Sequence, residues 1–176
     1  MNEKIKEILS YVKIIIFTTA AVLFLNKFII VNAVIPTESM ENTIMTDDHV
    51  IGDRLQYIFS DPKRYDIVIF KYPDNKNVLF VKRIIGLPGE TVSIRDGEVY
   101  INNSSVPLDD SFLPEAMFKE DYGPYEVPDN CYFMLGDNRN CSEDSRYWNN
   151  HYVERQDILA KVWLRYYPAD RISLVK

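Results

Sequence analysis

The sequence predicts a mainly-β protein with one apolar helix at its N-terminus. Three observations carry that prediction. Ile14–Leu25 reads Ile-Ile-Ile-Phe-Thr-Thr-Ala-Ala-Val-Leu-Phe-Leu without a charge. Beyond residue 40 the apolar runs become short and are bounded by Asp-Pro, Pro-Asp, Gly and Asn turn signals, the pattern of strands. Twelve Tyr and nine Phe fit such a domain, because aromatic rings pack well on a pleated face.

The chain of 176 residues can bury one core and carry one appended element, but not two large domains. A net charge of −6 argues against a nucleic-acid surface, which needs clustered Lys and Arg. Two cysteines, Cys131 and Cys141, are too few for a disulfide framework. A single pair in an exported domain and two separate thiols both remain open.

Residues 1–12 are expected to form a short N-terminal segment and 13–32 a transmembrane helix. The strict apolar run is short of the ~20 residues a membrane helix needs, but Lys27 can snorkel to the interface. A cleaved secretory signal fits less well, since no small-x-small pattern followed by a polar stretch appears. A buried core helix also fits poorly, because the segment is apolar nearly all round. Lys4, Lys6 and Lys13 precede the span, which places the N-terminus in the cytoplasm and residues 33–176 outside.

Strands are expected over His49–Leu55, Tyr65–Tyr72, Val78–Ile85, Thr91–Arg95, Glu98–Ile101, Cys131–Leu135 and about Ile158–Tyr167. Asp96-Gly97 is a hairpin signal, because Gly accepts the positive φ of a type I′ turn. Residues 102–130, rich in Asn, Ser, Pro, Asp and Gly, read as a long irregular excursion.

Three stretches stand out chemically. Pro36-Thr37-Glu38-Ser39-Met40-Glu41-Asn42-Thr43 puts a serine in a proline-started turn, eight residues and at most ~28 Å from Val31. By itself this is also what an ordinary surface turn looks like. Lys82 and Arg83 are adjacent on a strand, so their side chains leave on opposite faces. At least one shares a face with bulky apolar neighbours, unless the strand is an edge with both charges bent into water. A lysine so buried loses pKa, as a general base near neutral pH must. Finally, Gly136–Asn149 concentrates hydroxyls, carboxylates and guanidinium groups around Tyr147 and Trp148.

Together with Tyr65-Asp66-Ile67-Val68 and Val81–Glu90, these stretches resemble the successive boxes of bacterial type I signal peptidases. The resemblance runs in order from the apolar segment to at least Trp148. It implies one extracytoplasmic domain of coiled antiparallel sheets, and a Ser/Lys-dyad endopeptidase that cuts signal peptides from exported pre-proteins after small residues of the Ala-x-Ala type. Ser39 corresponds to the family nucleophile and Lys82 to its general base. Thr37 corresponds to the oxyanion position, Ser142 to the hydroxyl that positions the lysine, and Asp144 with Arg146 to a supporting ion pair. Substrate contacts fall on Ala33, Val34, Ile35, Pro36 and Met40 and on Leu79, Phe80 and Val81. The resemblance implies no cofactor, metal or obligate protein partner; the partners are pre-proteins and the lipid bilayer of the bacterial cytoplasmic membrane. The sequence departs from the common pattern at Thr37 and Glu38, where Ser and Gly are usual, and at Ala33, where a larger apolar residue is common. Rival readings are a Ser/His triad using His49 or His151, a dedicated processing protease, and a silent peptide-binding β module.

Overall fold

The computed structural model describes residues 3–113 and 115–175. Its first element is a helix, α1 (Glu3–Phe28), long and apolar enough to cross a membrane and with no buried residue. The helix expected over 13–32 therefore starts earlier and stops earlier. Ile30–Val34 forms a strand, β1, because its backbone pairs with β2 (His49–Asp53), from Ile30 opposite Asp53 to Val34 opposite His49. A single residue, Ile29, separates helix from strand. Its N–H donates to Leu25 O at 2.9 Å and its carbonyl accepts from Arg54 N–H at 2.8 Å.

A short helix α2 (Gln56–Phe59) follows, then β3 (Ile67–Tyr72) and the long β4 (Asn75–Gly86). β5 (Thr91–Arg95) and β6 (Glu98–Ile101) form the expected hairpin, with φ of 52° at Asp96 and 83° at Gly97. The excursion is not wholly irregular. Tyr122–Glu126 is a strand, β7, pairing with β5. Then come β8 (Cys131–Leu135), β9 (Val153–Glu154), β10 (Ile158–Tyr167) and β11 (Ser173–Leu174).

The main sheet runs in the order β1-β2-β10-β3-β4-β8-β9, with β11 added to β10, and β6-β5-β7 form a second, three-stranded sheet. Every pairing is antiparallel. Three apolar clusters fill the space around the sheets. One gathers Val31, Ile35, Met40, Ile44 and Ile69, a second Val68, Phe70, Ile84 and Trp148, and a third Ile85, Val92, Ile94 and Phe133. Because β4 contributes to all three, both of its faces are covered at its C-terminal half.

Among the open strand edges are those of β1 and of the first part of β4. β1 pairs only with β2, and β4 is joined to β8 only from Arg83 onward, which leaves its preceding residues with one unpaired edge.

Candidate active site

Between those open edges lies a cavity of about 500 Å³. Residues 32–40 form one wall and 78–82 another, with Ile69, Cys141 and Glu143 completing the lining. All eight sequence-predicted contact residues border it. They differ in exposure. Val34 and Leu79 are open to solvent, whereas Ile35 and Met40 are packed into the first apolar cluster and supply the floor.

Ser39 and Lys82 meet in the cavity lining. A 3₁₀ turn, Glu38–Met40, raises Ser39 into the cavity while its buried neighbour Met40 anchors the turn. Lys82 Nζ donates to Ser39 Oγ at 2.5 Å. The Thr37 hydroxyl stands 3.3 Å from the same oxygen, so at rest it is engaged with the serine and not isolated as a separate donor.

Lys82 and Arg83 are both only 4% exposed, which removes the reading in which both charges bend into water. Their fates differ because their partners do. Arg83 is neutralised by a two-pronged pair with Asp137, at 2.8 and 2.6 Å, and Asp137 also accepts from the Thr43 hydroxyl at 2.5 Å. Among the described residues Lys82 has no carboxylate in hydrogen-bond or ion-pair contact, only the serine and the Phe80 ring 5.4 Å away. Burial therefore dominates and lowers its pKa from the ordinary 10.5 to about 8, against the opposing pull of Asp144, Glu143 and Asp137. All three of these carboxylates lie on the 136–146 loop.

That loop is held rigid by charge-assisted bonds. Asp144 accepts from Gly136 N–H at 3.0 Å and pairs with Arg146 through both oxygens, at 2.8 and 2.9 Å. Arg146 also donates to Arg139 O, and Arg139 pairs with Asp110. Ser145 ties the loop to β8 through Met134. Asn138 docks the loop on the Ser39 turn: its backbone N–H donates to Ser39 O at 3.1 Å and its side chain to Glu38 O at 3.2 Å.

Ser142 differs from expectation. Its hydroxyl is buried without a hydrogen-bond partner among the described residues, so at rest it does not hold the Lys82 amine. A Cβ added to Gly136 would fall on both the Ser142 hydroxyl and the Ser39 carbonyl, so glycine is what lets loop and turn meet. Neither histidine reaches Ser39: His49 faces the Tyr166 hydroxyl and His151 the Ser145 carbonyl. Cys131 and Cys141 are both free thiols.

A family model described as signal peptidase, peptidase S26, matches residues 8–167. The chain belongs to this family. As a member of the peptidase S26 family it falls among the hydrolases. It is 40% identical over 146 residues to probable signal peptidase I-2 of Synechocystis sp., covering 80% of this chain and 65% of that protein. Signal peptidase I of Leptolyngbya laminosa is 35% identical over 169 residues, with 92% and 81% covered. Signal peptidase I S of Bacillus subtilis is 35% identical over 153 residues, with 81% and 80% covered. A crystal structure of a signal peptidase I from Enterococcus faecalis, 35% identical, aligns over 58% of this chain and 97% of its own, at a TM-score of 0.48.

Proposed function

We propose that this protein is a membrane-anchored serine endopeptidase that removes N-terminal signal peptides from exported pre-proteins. The observation that carries the reading is the contact between Lys82 Nζ and Ser39 Oγ, with a lysine whose pKa lies near 8. About half of the lysine is neutral at pH 8 and roughly a tenth at pH 7, enough to serve as a base.

The substrate enters as an added strand. Its backbone pairs with the open edges of β1 and β4, and its side chains alternate between the cavity and solvent. The floor of Ile35 and Met40 leaves room for small side chains one and three residues before the cut, which is the origin of an Ala-x-Ala preference.

Neutral Lys82 then takes the Ser39 proton as Oγ attacks the scissile carbonyl. The developing oxyanion is met by the Ser39 N–H, one of the donors that the first turn of any helix leaves unsatisfied, and by the Thr37 hydroxyl. Removing one such donor typically costs ~3 kcal/mol of transition-state stabilisation. The Lys82 ammonium gives its proton to the leaving amine. An acyl group stays on Ser39 until water, deprotonated by Lys82, attacks it. Asp144 and Arg146 keep the loop in place through these steps, and the unpartnered Ser142 hydroxyl offers the cycling amine a second acceptor.

Helix α1 serves as the anchor. Lys4, Lys6 and Lys13 precede its apolar run and only Lys27 follows it, so the N-terminus is assigned to the cytoplasm and the sheets to the outer face of the cytoplasmic membrane. The deciding experiment is cleavage of several unrelated pre-proteins by the full chain in detergent. Ser39→Ala and Lys82→Ala should each reduce turnover at least ~10³-fold while the circular-dichroism spectrum is kept. Full activity in Lys82→Ala would sink the dyad.

A further inference from the structure

The contact between Lys82 and Ser39 joins two segments remote in sequence, β4 and the turn over residues 38–44. A lysine amine rides on a flexible four-carbon stem, so the contact lasts only where something else fixes the turn against the strand. Hydrogen bonds inside the turn make it one unit. Glu41 N–H donates to Glu38 O at 2.9 Å, and the Thr43 and Ile44 N–H groups donate to Met40 O at 3.2 and 2.8 Å. Whatever holds Thr43 therefore holds Ser39.

Thr43 is held from two sides. Its hydroxyl donates to Asp137, which takes both prongs of Arg83, the residue next to Lys82 on β4. Its carbonyl accepts from Arg165 on β10 at 3.3 Å, and Arg165 pairs with the buried Asp48 at 3.0 Å. β10 and β4 flank β3 in the sheet, so the turn is fastened across β3 to both of its neighbours. The hydroxyl is not needed to neutralise Asp137, because Arg83 already supplies the counter-charge through two hydrogen bonds. What the third bond adds is a link from the turn to the strand of the lysine. Asn138 also bonds the turn, at residues 38 and 39, but among the described residues it has no hydrogen bond to β4. We propose that Thr43 is a positioning residue, which sets Ser39 Oγ against the Lys82 amine through Asp137 and Arg83. The proposal rests on the Ser39–Lys82 reading above and goes beyond it, since Thr43 touches neither group's reacting atom.

The test uses the full chain in detergent with one pre-protein, and follows kcat and KM separately. Thr43→Val removes the hydroxyl and keeps the branched shape, whereas Thr43→Ser keeps the hydroxyl. Thr46→Val is the control, because among the described residues the Thr46 hydroxyl bonds only Glu41 of its own segment. In Thr43→Val kcat should fall about ten- to a hundredfold, the scale of a misplacement of about 1 Å, with KM within about twofold of the parent. Thr43→Ser should restore kcat to within about threefold, and Thr46→Val should keep it. A role in stability alone would lower the denaturant midpoint of Thr43→Val without this loss of kcat. If Thr43→Val fails to fold, Thr43→Ala removes the same hydroxyl and carries the same expectations. An unchanged kcat, a loss confined to KM, or a loss that Thr43→Ser shares overturns the proposal. A second readout separates it from the peptidase reading. Ser39 Oγ takes the acetyl group of p-nitrophenyl acetate, gives its proton to Lys82 and releases p-nitrophenolate, and the burst is corrected for the signal of Ser39→Ala. If no pre-protein is cut, the peptidase reading falls, while a burst slowed in Thr43→Val and restored in Thr43→Ser still upholds the role of Thr43. A burst equal in all three proteins, or none in the parent, overturns it.

Discussion

Replacing Lys82 by Met should make the protein more stable at neutral pH while abolishing cleavage. The reason is the cost of keeping an amine where water is excluded. The folded lysine titrates at about 8 and an unfolded one at 10.5. Between those values the unfolded chain holds a proton that the folded chain has released, so stability rises with pH across that window. Below it, the burial cost is present in full: about 2.5 units at ~1.4 kcal/mol each, or roughly 3 kcal/mol at pH 7. The same linkage leaves about 2 kcal/mol at pH 9 and almost nothing at pH 10.5. Methionine fills a similar volume without the charge, but it forfeits the bond to Ser39 Oγ, a loss of about 1 kcal/mol. The expected net gain is about 2 kcal/mol at pH 7, shrinking to about 1 at pH 9 and reversing in sign near pH 10.5. The assay is urea denaturation of both proteins in the same micelles at the three pH values, followed by tryptophan fluorescence. A parent protein more stable than Lys82→Met at pH 7, or a difference independent of pH, would refute the reasoning.

Other outcomes follow from the same geometry. The kcat/KM of the parent protein should rise with pH through about 8, because the proposed mechanism works through the neutral amine, and Glu143→Gln should move that midpoint to lower pH by removing a charge that favours the ammonium; an unmoved or raised midpoint contradicts this. Gly136→Ala should lower kcat/KM about a hundredfold, since its Cβ drives the Ser142 hydroxyl and the Ser39 carbonyl apart, and steady-state kinetics on one pre-protein reads it. Asp137→Ala should destabilise the fold by about 3–5 kcal/mol, because Arg83 is left charged and unpaired in the interior. The paired change Arg83→Met with Asp137→Leu should cost far less, as measured by denaturant midpoints.

The strand pattern was legible wherever local chemistry decides it. β5, β6, β8 and β10 begin and end where their apolar runs do, and Asp96-Gly97 turns the chain as its residue types require. β1 was not legible, because Ile30 and Val31 look alike whether they face lipid or a sheet. Only pairing with residues 49–53, remote in sequence, makes them a strand. The start of β4 was hidden in the same way, since Asn75-Lys76-Asn77 carries no apolar signal. At the site, Ser39 and Lys82 could be found because each sits in a locally unusual setting. The partner of Arg83, and the places of Cys141 and Glu143 on the cavity wall, could not. They depend on a loop about a hundred residues from Ser39 that is carried to it by hydrogen bonds from Asn138.

Only Ile29 lies between helix and first strand, and both of its backbone groups are bonded. There is no slack there for the sheets to rise or sink against the helix. With α1 seated in a bilayer, β1 becomes a ruler fixed to the membrane surface, and Ser39 is the mark at a set height along it. A pre-protein would then be measured as well as read. Its cut site must reach that height when its own apolar segment is seated in the same bilayer, so lengthening or shortening the spacer between the two shifts the right residues past the serine.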